Sequence, residues 1–85
     1  MGISVIGVGK LGLCLSLNLE KKGFNVLGVD IVDNYISLLN SKTFESFEPY
    51  VTEYLQKSKK IKFTTDLQSS LKNDVIFVVV QTNYN

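Results

Sequence analysis

Apolar residues come in two rhythms along this chain, one of short unbroken runs and one of helical spacing. Ile3 to Ile6 is a short β-branched run ending at a glycine, which reads as a parallel-type strand that is apolar on both faces. From Lys10 to Lys22 the spacing becomes helical. Leu11, Leu15 and Leu19 fall at i, i+4 and i+8, Cys14 lies three after Leu11, and Leu13 and Leu17 widen the apolar face. Glu20-Lys21-Lys22-Gly23 closes that helix, with lysines at the negative end of the dipole and a glycine suited to the left-handed turn beyond it. Asn25 to Asp30 reads as a second strand. Asp33 is the expected cap of a two-turn helix in which Tyr35, Leu38 and Leu39 share a face. Ser41 to Glu48 has no period and reads as a loop, and Pro49 opens a helix carrying Val51, Tyr54 and Leu55. Ile61 to Thr64 alternates as a short strand. Thr65 or Asp66 then caps a helix holding Leu67 and Leu71. Val75 to Val80 is wholly apolar and reads as a central strand buried on both faces. The order β-α-β-α-α-β-α-β predicts an α/β fold, an open parallel sheet with right-handed crossovers.

The length of 85 residues leaves room for one small domain at most. Nine lysines face eight acids, and the net charge of +1 gives no electrostatic footprint for nucleic acid or an anionic membrane. No apolar run approaches the ~20 residues that span a bilayer, and the N-terminus lacks a signal-peptide pattern, so a cytoplasmic protein is expected. One cysteine and no histidine exclude a Cys/His metal site and a Ser–His or Cys–His catalytic pair. Cys14 reads as a small core residue. Lys57, Lys59, Lys60 and Lys62 read as a solvated helix end, with a phosphate or acidic partner as the alternative.

The chemistry sits at Gly7-Val8-Gly9-Lys10-Leu11-Gly12, a G-x-G-x-x-G run between the first strand and the first helix. Asp30 ends the next strand, 18 positions after Gly12, close to the spacing of a dinucleotide-binding βαβ unit. Gly7 suits the tight turn, Gly9 leaves room for a pyrophosphate to approach the backbone, and Gly12 lets the helix lie close to the sheet. Amides near Lys10 and Leu11 then point at the phosphates at the positive end of the helix. Lys10 itself can touch a phosphate or stay solvated. Asp30 would accept hydrogen bonds from the adenosine ribose hydroxyls. A carboxylate there repels a 2′-phosphate and the chain has no arginine to offset it, so NAD is expected over NADP.

These residues, with Val29-Asp30-Ile31 after them, resemble the opening of the UDP-glucose/GDP-mannose dehydrogenase family. Three later segments are also similar to it: Phe47-Glu48-Pro49, Phe63-Thr64-Thr65-Asp66-Leu67, and Asp74 to Thr82. The resemblance covers essentially the whole chain in order. It implies the first half of a Rossmann-type sheet over residues 1–85, a single partial NAD-binding domain. It also implies an enzyme that oxidises the C6 hydroxyl of a nucleotide sugar to a carboxylate in two NAD-dependent hydride transfers, for polysaccharide synthesis. By resemblance, Gly7, Val8, Gly9, Lys10, Leu11 and Gly12 hold the pyrophosphate, Asp30 the ribose, and Thr82 lies beside the cofactor. The chain departs from the family at Lys10, where a tyrosine is frequent, and at Tyr35, where a lysine near the ribose is frequent. It also departs at Gln81-Thr82-Asn83, where Gly-Thr-Pro is usual. The family's catalytic cysteine and lysine and its sugar-nucleotide domain have no counterpart here, so no catalytic residue is expected and a sugar nucleotide would need further regions. A stand-alone dinucleotide-binding regulatory or scaffolding module, or an inactive remnant, is the alternative. The strand at 75–80 is expected to expose an unpaired apolar edge that invites self-association.

Overall fold

The computed structural model describes residues 2–46 and 49–80. The strands are β1 (Gly2–Ile6), β2 (Asn25–Val29), β3 (Ile61–Thr64) and β4 (Val75–Val78). The helices are α1 (Lys10–Lys21), α2 (Asp33–Asn40), α3 (Pro49–Lys57) and α4 (Leu67–Ser70). The strands form one parallel sheet in the order β3-β2-β1-β4. The chain therefore winds one way from β1 to β3 and then crosses back past β1 to β4. Right-handed crossovers require α1, α2 and α3 on one face and α4 on the other. The core follows that rule: Val5, Val26, Ile61 and Phe63 of the sheet pack with Leu13, Leu17, Ile36, Leu39, Val51 and Leu55 of the three helices. The α/β architecture expected from the alternating pattern is the one observed.

The helix faces differ in detail from the leucine spacing. In α1 the fully buried residues are Gly12, Leu13, Ser16 and Leu17, whereas Leu11 is 66% exposed and Leu15 and Leu19 are only half-buried. Small residues win the contact because they let the helix axis approach the sheet. Ser16 turns its hydroxyl back to the Gly12 carbonyl at 2.6 Å, so it needs no partner in the core. In α2 the buried pair is Ile36 and Leu39, while Leu38 is exposed. Asp33 is the first helical residue and not the cap, which is Val32. Its acid still lies in the first turn, at the favourable end of the dipole. In α4 the cap is Asp66, whose carboxylate accepts the Gln68 N–H at 3.1 Å. That helix is a single turn, so it cannot bury Leu67 and Leu71, both of which are exposed. Lys57, Lys59, Lys60 and Lys62 are exposed as expected for a solvated terminus.

What α4 does bury is polar. Ser4, fully buried in β1, donates to the Ser70 carbonyl at 2.8 Å and accepts from the Asn73 amide at 2.8 Å. This pair of bonds ties the one-turn helix to the centre of the sheet. Ser4→Ala leaves both partners short of a bond, and we expect a loss of ~1–3 kcal/mol in urea unfolding. A change below ~0.5 kcal/mol would show that water replaces the hydroxyl without cost.

The two edges of the sheet are treated differently. Along β3, Asn40 accepts from the Phe63 N–H at 3.0 Å and donates to the Phe63 carbonyl at 2.8 Å, so its amide stands in for another strand. β4 differs from the buried central strand expected for residues 75–80. It ends at Val78, and Ile76, Phe77, Val78 and Val80 are exposed. It takes the outer position beside β1, while the helices lie over β1, β2 and β3.

Candidate functional site

The site is assembled where β1 ends. Gly7 has φ +92°, a left-handed value that side chains resist, and its N–H donates to the Val29 carbonyl at 2.7 Å. A Cβ at Gly7 would lie 2.5 Å from the Val79 carbonyl oxygen. Val8 then drops its side chain into the core, where it is fully buried. Gly9 is the N-cap of α1, in extended backbone with no side-chain cap, and its carbonyl receives the Leu13 N–H at 2.8 Å. Lys10, Leu11 and Gly12 form the first turn, whose N–H groups have no acceptor within the helix. No acid stands in that turn to offset the dipole.

Gly12 closes the geometry. A Cβ there would lie 1.7 Å from the Gly7 carbonyl oxygen, and 3.7 Å from a Val5 methyl. The start of α1 is thus pressed against the turn that precedes it. The loop between them is left as bare backbone.

Asp30 faces this loop from the end of β2. Its Oδ2 accepts the Val8 N–H at 3.2 Å and its Oδ1 accepts the Val32 N–H at 3.3 Å. Each oxygen keeps further lone-pair capacity, since a carboxylate offers about four acceptor positions. The loop and the acid, paired in the sequence only by spacing, are therefore in direct contact. Lys10 and Leu11 are both exposed at the loop's mouth. Thr82 lies outside the described residues, as do Gln81 and Asn83.

Tyr35 of α2 packs beside this loop. Its half-buried ring meets Phe44 edge-on at 5.2 Å between centroids, and its hydroxyl donates to the Val8 carbonyl. Burial, then the neighbouring Asp30 carboxylate, then Cys14 push its pKa up to about 12. The resemblance to the family singles out this position in the sequence, since Tyr35 stands where a lysine near the ribose is frequent. Cys14 itself is half-buried against the core.

These features fit a dinucleotide. Gly12 lets the helix start press against the turn, the helix end is electropositive, and Asp30 has acceptors to spare. The sequence profile of the UDP-glucose/GDP-mannose dehydrogenase family, NAD binding domain, matches residues 1–85. The chain belongs to this family. Its NAD-binding domain is the part represented here, and NAD is the cofactor of that domain. Among relatives, the UDP-glucose 6-dehydrogenase of Rickettsia prowazekii is 36% identical over 86 residues, covering 96% of this chain and 20% of that protein. An uncharacterized protein of Methanocaldococcus jannaschii is 37% identical over 84 residues, covering 96% of this chain and 9% of that protein. The crystal structure of a ternary complex of GDP-mannose dehydrogenase from Pseudomonas aeruginosa superposes with a TM-score of 0.90 at 31% identity, over 100% of this chain and 20% of that one. The domain thus spans a fifth or less of the length of these proteins. Among the described residues, no helix is long and apolar enough to cross a membrane.

Proposed function

We propose that this chain supplies the NAD-holding half-site of a nucleotide-sugar dehydrogenase that oxidises a UDP-glucose- or GDP-mannose-type sugar at C6. The observation that carries the reading is the bare loop, Gly7 to Gly12, closed by Gly12 on one side and by Asp30 on the other. The amides of Lys10 to Gly12 hold the pyrophosphate, with Gly7 setting the turn and Gly9 keeping the approach open. Val8 is the loop's anchor in the core and Leu11 its apolar lip. Asp30 takes the adenosine ribose, and Thr82 completes the cofactor side. Bound NAD would accept a hydride from the alcohol carbon. Within this chain the residues bind and orient, and none is assigned to catalysis. Hydride transfer by residues 1–85 alone is not part of the reading, nor is a sugar-nucleotide site.

The test is calorimetric titration of NAD into the chain, unaltered and as Asp30→Ala. We expect Asp30→Ala to weaken binding by ~1–3 kcal/mol, roughly 5- to 150-fold, the range for hydrogen bonds to a charged acceptor. Asp30 also holds the Val8 and Val32 amides, so thermal melts of both proteins accompany the titration. Binding that is unchanged in a folded Asp30→Ala protein would remove the ribose role. No binding by the unaltered chain would remove the half-site.

The reading extends to the open edge of β4, which we assign to pairing with another strand, a second copy of this chain being one source.

A further inference from the structure

Four of the chain's nine lysines line one concavity at the end of the sheet opposite the glycine loop. Its volume is about 450 Å³, the size of a small-molecule site. Lys59 and Lys60 lead into β3, Lys62 lies within it, and Lys72 follows α4. Register explains why they converge. Ser4, Leu27 and Lys62 stand in one row across β1, β2 and β3, so they share a face of the sheet. It is the face of α4, because Ser4 bonds to Ser70 and Asn73. The single turn of α4 buries Ser4 but leaves Leu27 half-buried and Lys62 exposed. The backbone beside them is fixed. The Val26 N–H donates to the Lys60 carbonyl at 2.9 Å, and Glu20 Oε2 accepts the Lys59 and Lys60 N–H groups at 2.9 and 3.1 Å.

We propose that this concavity is a polyphosphate-binding site, separate from the glycine loop, in which Lys59, Lys60, Lys62 and Lys72 neutralise a chain of two or more phosphates. Among the described residues, no acid lines it and no carboxylate pairs with these four ammonium groups, whereas Lys57, outside it, is paired with Glu53 at 2.7 Å. A hollow lined by one sign of charge focuses its potential, even in a chain whose net charge is only +1. Solvation accounts for a lysine at a helix end, and edge protection for a lysine in an outer strand. Neither accounts for the group. Asn40 already covers the β3 edge at Phe63, and Lys72 belongs to an element away from that edge. Ammonium groups on flexible stems suit a phosphate chain, which they meet as point charges. An extended acidic peptide spaces its same-side carboxylates ~7 Å apart, whereas a polyphosphate concentrates its charge within a hollow of this size. Leu27 adds an apolar surface for an organic group attached to the phosphates.

The inference stands apart from the dinucleotide reading, and its test locates the ligand as well as detecting it. Inorganic triphosphate and ATP are titrated into the chain without magnesium, followed by calorimetry and by amide chemical shifts. The shifts should gather at residues 25–27, 59–62 and 69–73, and they support the inference whether or not the loop at residues 7–12 also responds. Tighter binding of ATP than of triphosphate assigns the site to a nucleotide, and equal affinity assigns it to the phosphate chain alone. Lys62→Gln and Lys72→Gln should each weaken binding about three- to fivefold, the range of an exposed ion pair, and together about 10- to 25-fold. Both lysines are exposed, and a thermal melt of each variant verifies its fold. Lys57→Gln should leave the affinity unchanged. Shifts confined to residues 7–12, no binding of either probe, or an equal loss in Lys57→Gln would each overturn the inference. So would a polyglutamate peptide that binds this surface more tightly than ATP, which would assign it to an acidic protein partner.

Discussion

Gly12→Ala is expected to remove at least ~3 kcal/mol of stability in a urea titration, a large share of what holds a domain of this size together. A methyl group at this position would sit 1.7 Å from the Gly7 carbonyl oxygen. Overpacking against side chains costs ~1–3 kcal/mol because rotamers can adjust, but here the obstacle is backbone. Gly7 cannot retreat, because its N–H is bonded to Val29 and its φ of +92° is already fixed by the turn. The helix would have to lift off the sheet, which strips Leu13 and Leu17 of their contacts with Val5 and Val26. The glycine that shapes the binding loop is thereby also the one that lets α1 reach the core. Loss of less than ~1 kcal/mol in Gly12→Ala would mean that α1 can shift without unpacking, and that the cradle is not a rigid one.

That coupling explains why the site was easier to read than the helices. A glycine run between a strand and a helix has one geometric solution, and the acid at the end of the next strand falls beside it because β1 and β2 pair in register, Ile6 opposite Val29. Hydrophobic spacing is a weaker guide to which face is buried. It counts leucines, whereas close approach of a helix to a sheet selects the smallest residues. Hence Leu11 is exposed while Gly12 and Ser16 are buried. In α4 the same preference places Ser70 inside and leaves Leu67 and Leu71 outside. Tyr35 shows the other failure. Periodicity registers its ring as part of the apolar stripe of α2, and has no means of following the hydroxyl to the Val8 carbonyl. β4 has the open apolar edge expected of it but not the burial on both faces, for a third reason. An unbroken apolar run reports what a strand can bury, not what its neighbours provide.

The exposed edge of β4 has a consequence that can be measured directly: the chain is expected to self-associate as its concentration rises. In a parallel strand the N–H and C=O of one residue point to the same side. Val79 donates to the Ile6 carbonyl at 2.8 Å, so Phe77 and Val79 turn toward β1 while Ile76 and Val78 turn their peptide groups away from it. Ile76 and Val78 are exposed beside those groups, at 39% and 66%. An edge of this kind, apolar and without a lysine or proline in the strand, is a template for another strand. The opposite edge shows what protection looks like, since Asn40 covers the peptide groups of Phe63. Two copies meeting about a twofold axis would place β4 against its mate in antiparallel register and extend the sheet through both. Sedimentation velocity should then show the average mass rising from 9.5 kDa toward the dimer across a concentration series. Val78→Lys puts a charge on the edge without touching the core, and should hold the mass at the monomer value over the same range. An unaltered chain that stays monomeric at ~1 mM would overturn the pairing, since an association weaker than ~4 kcal/mol has no bearing on the chain's state. Association that survives Val78→Lys would place the contact on another surface.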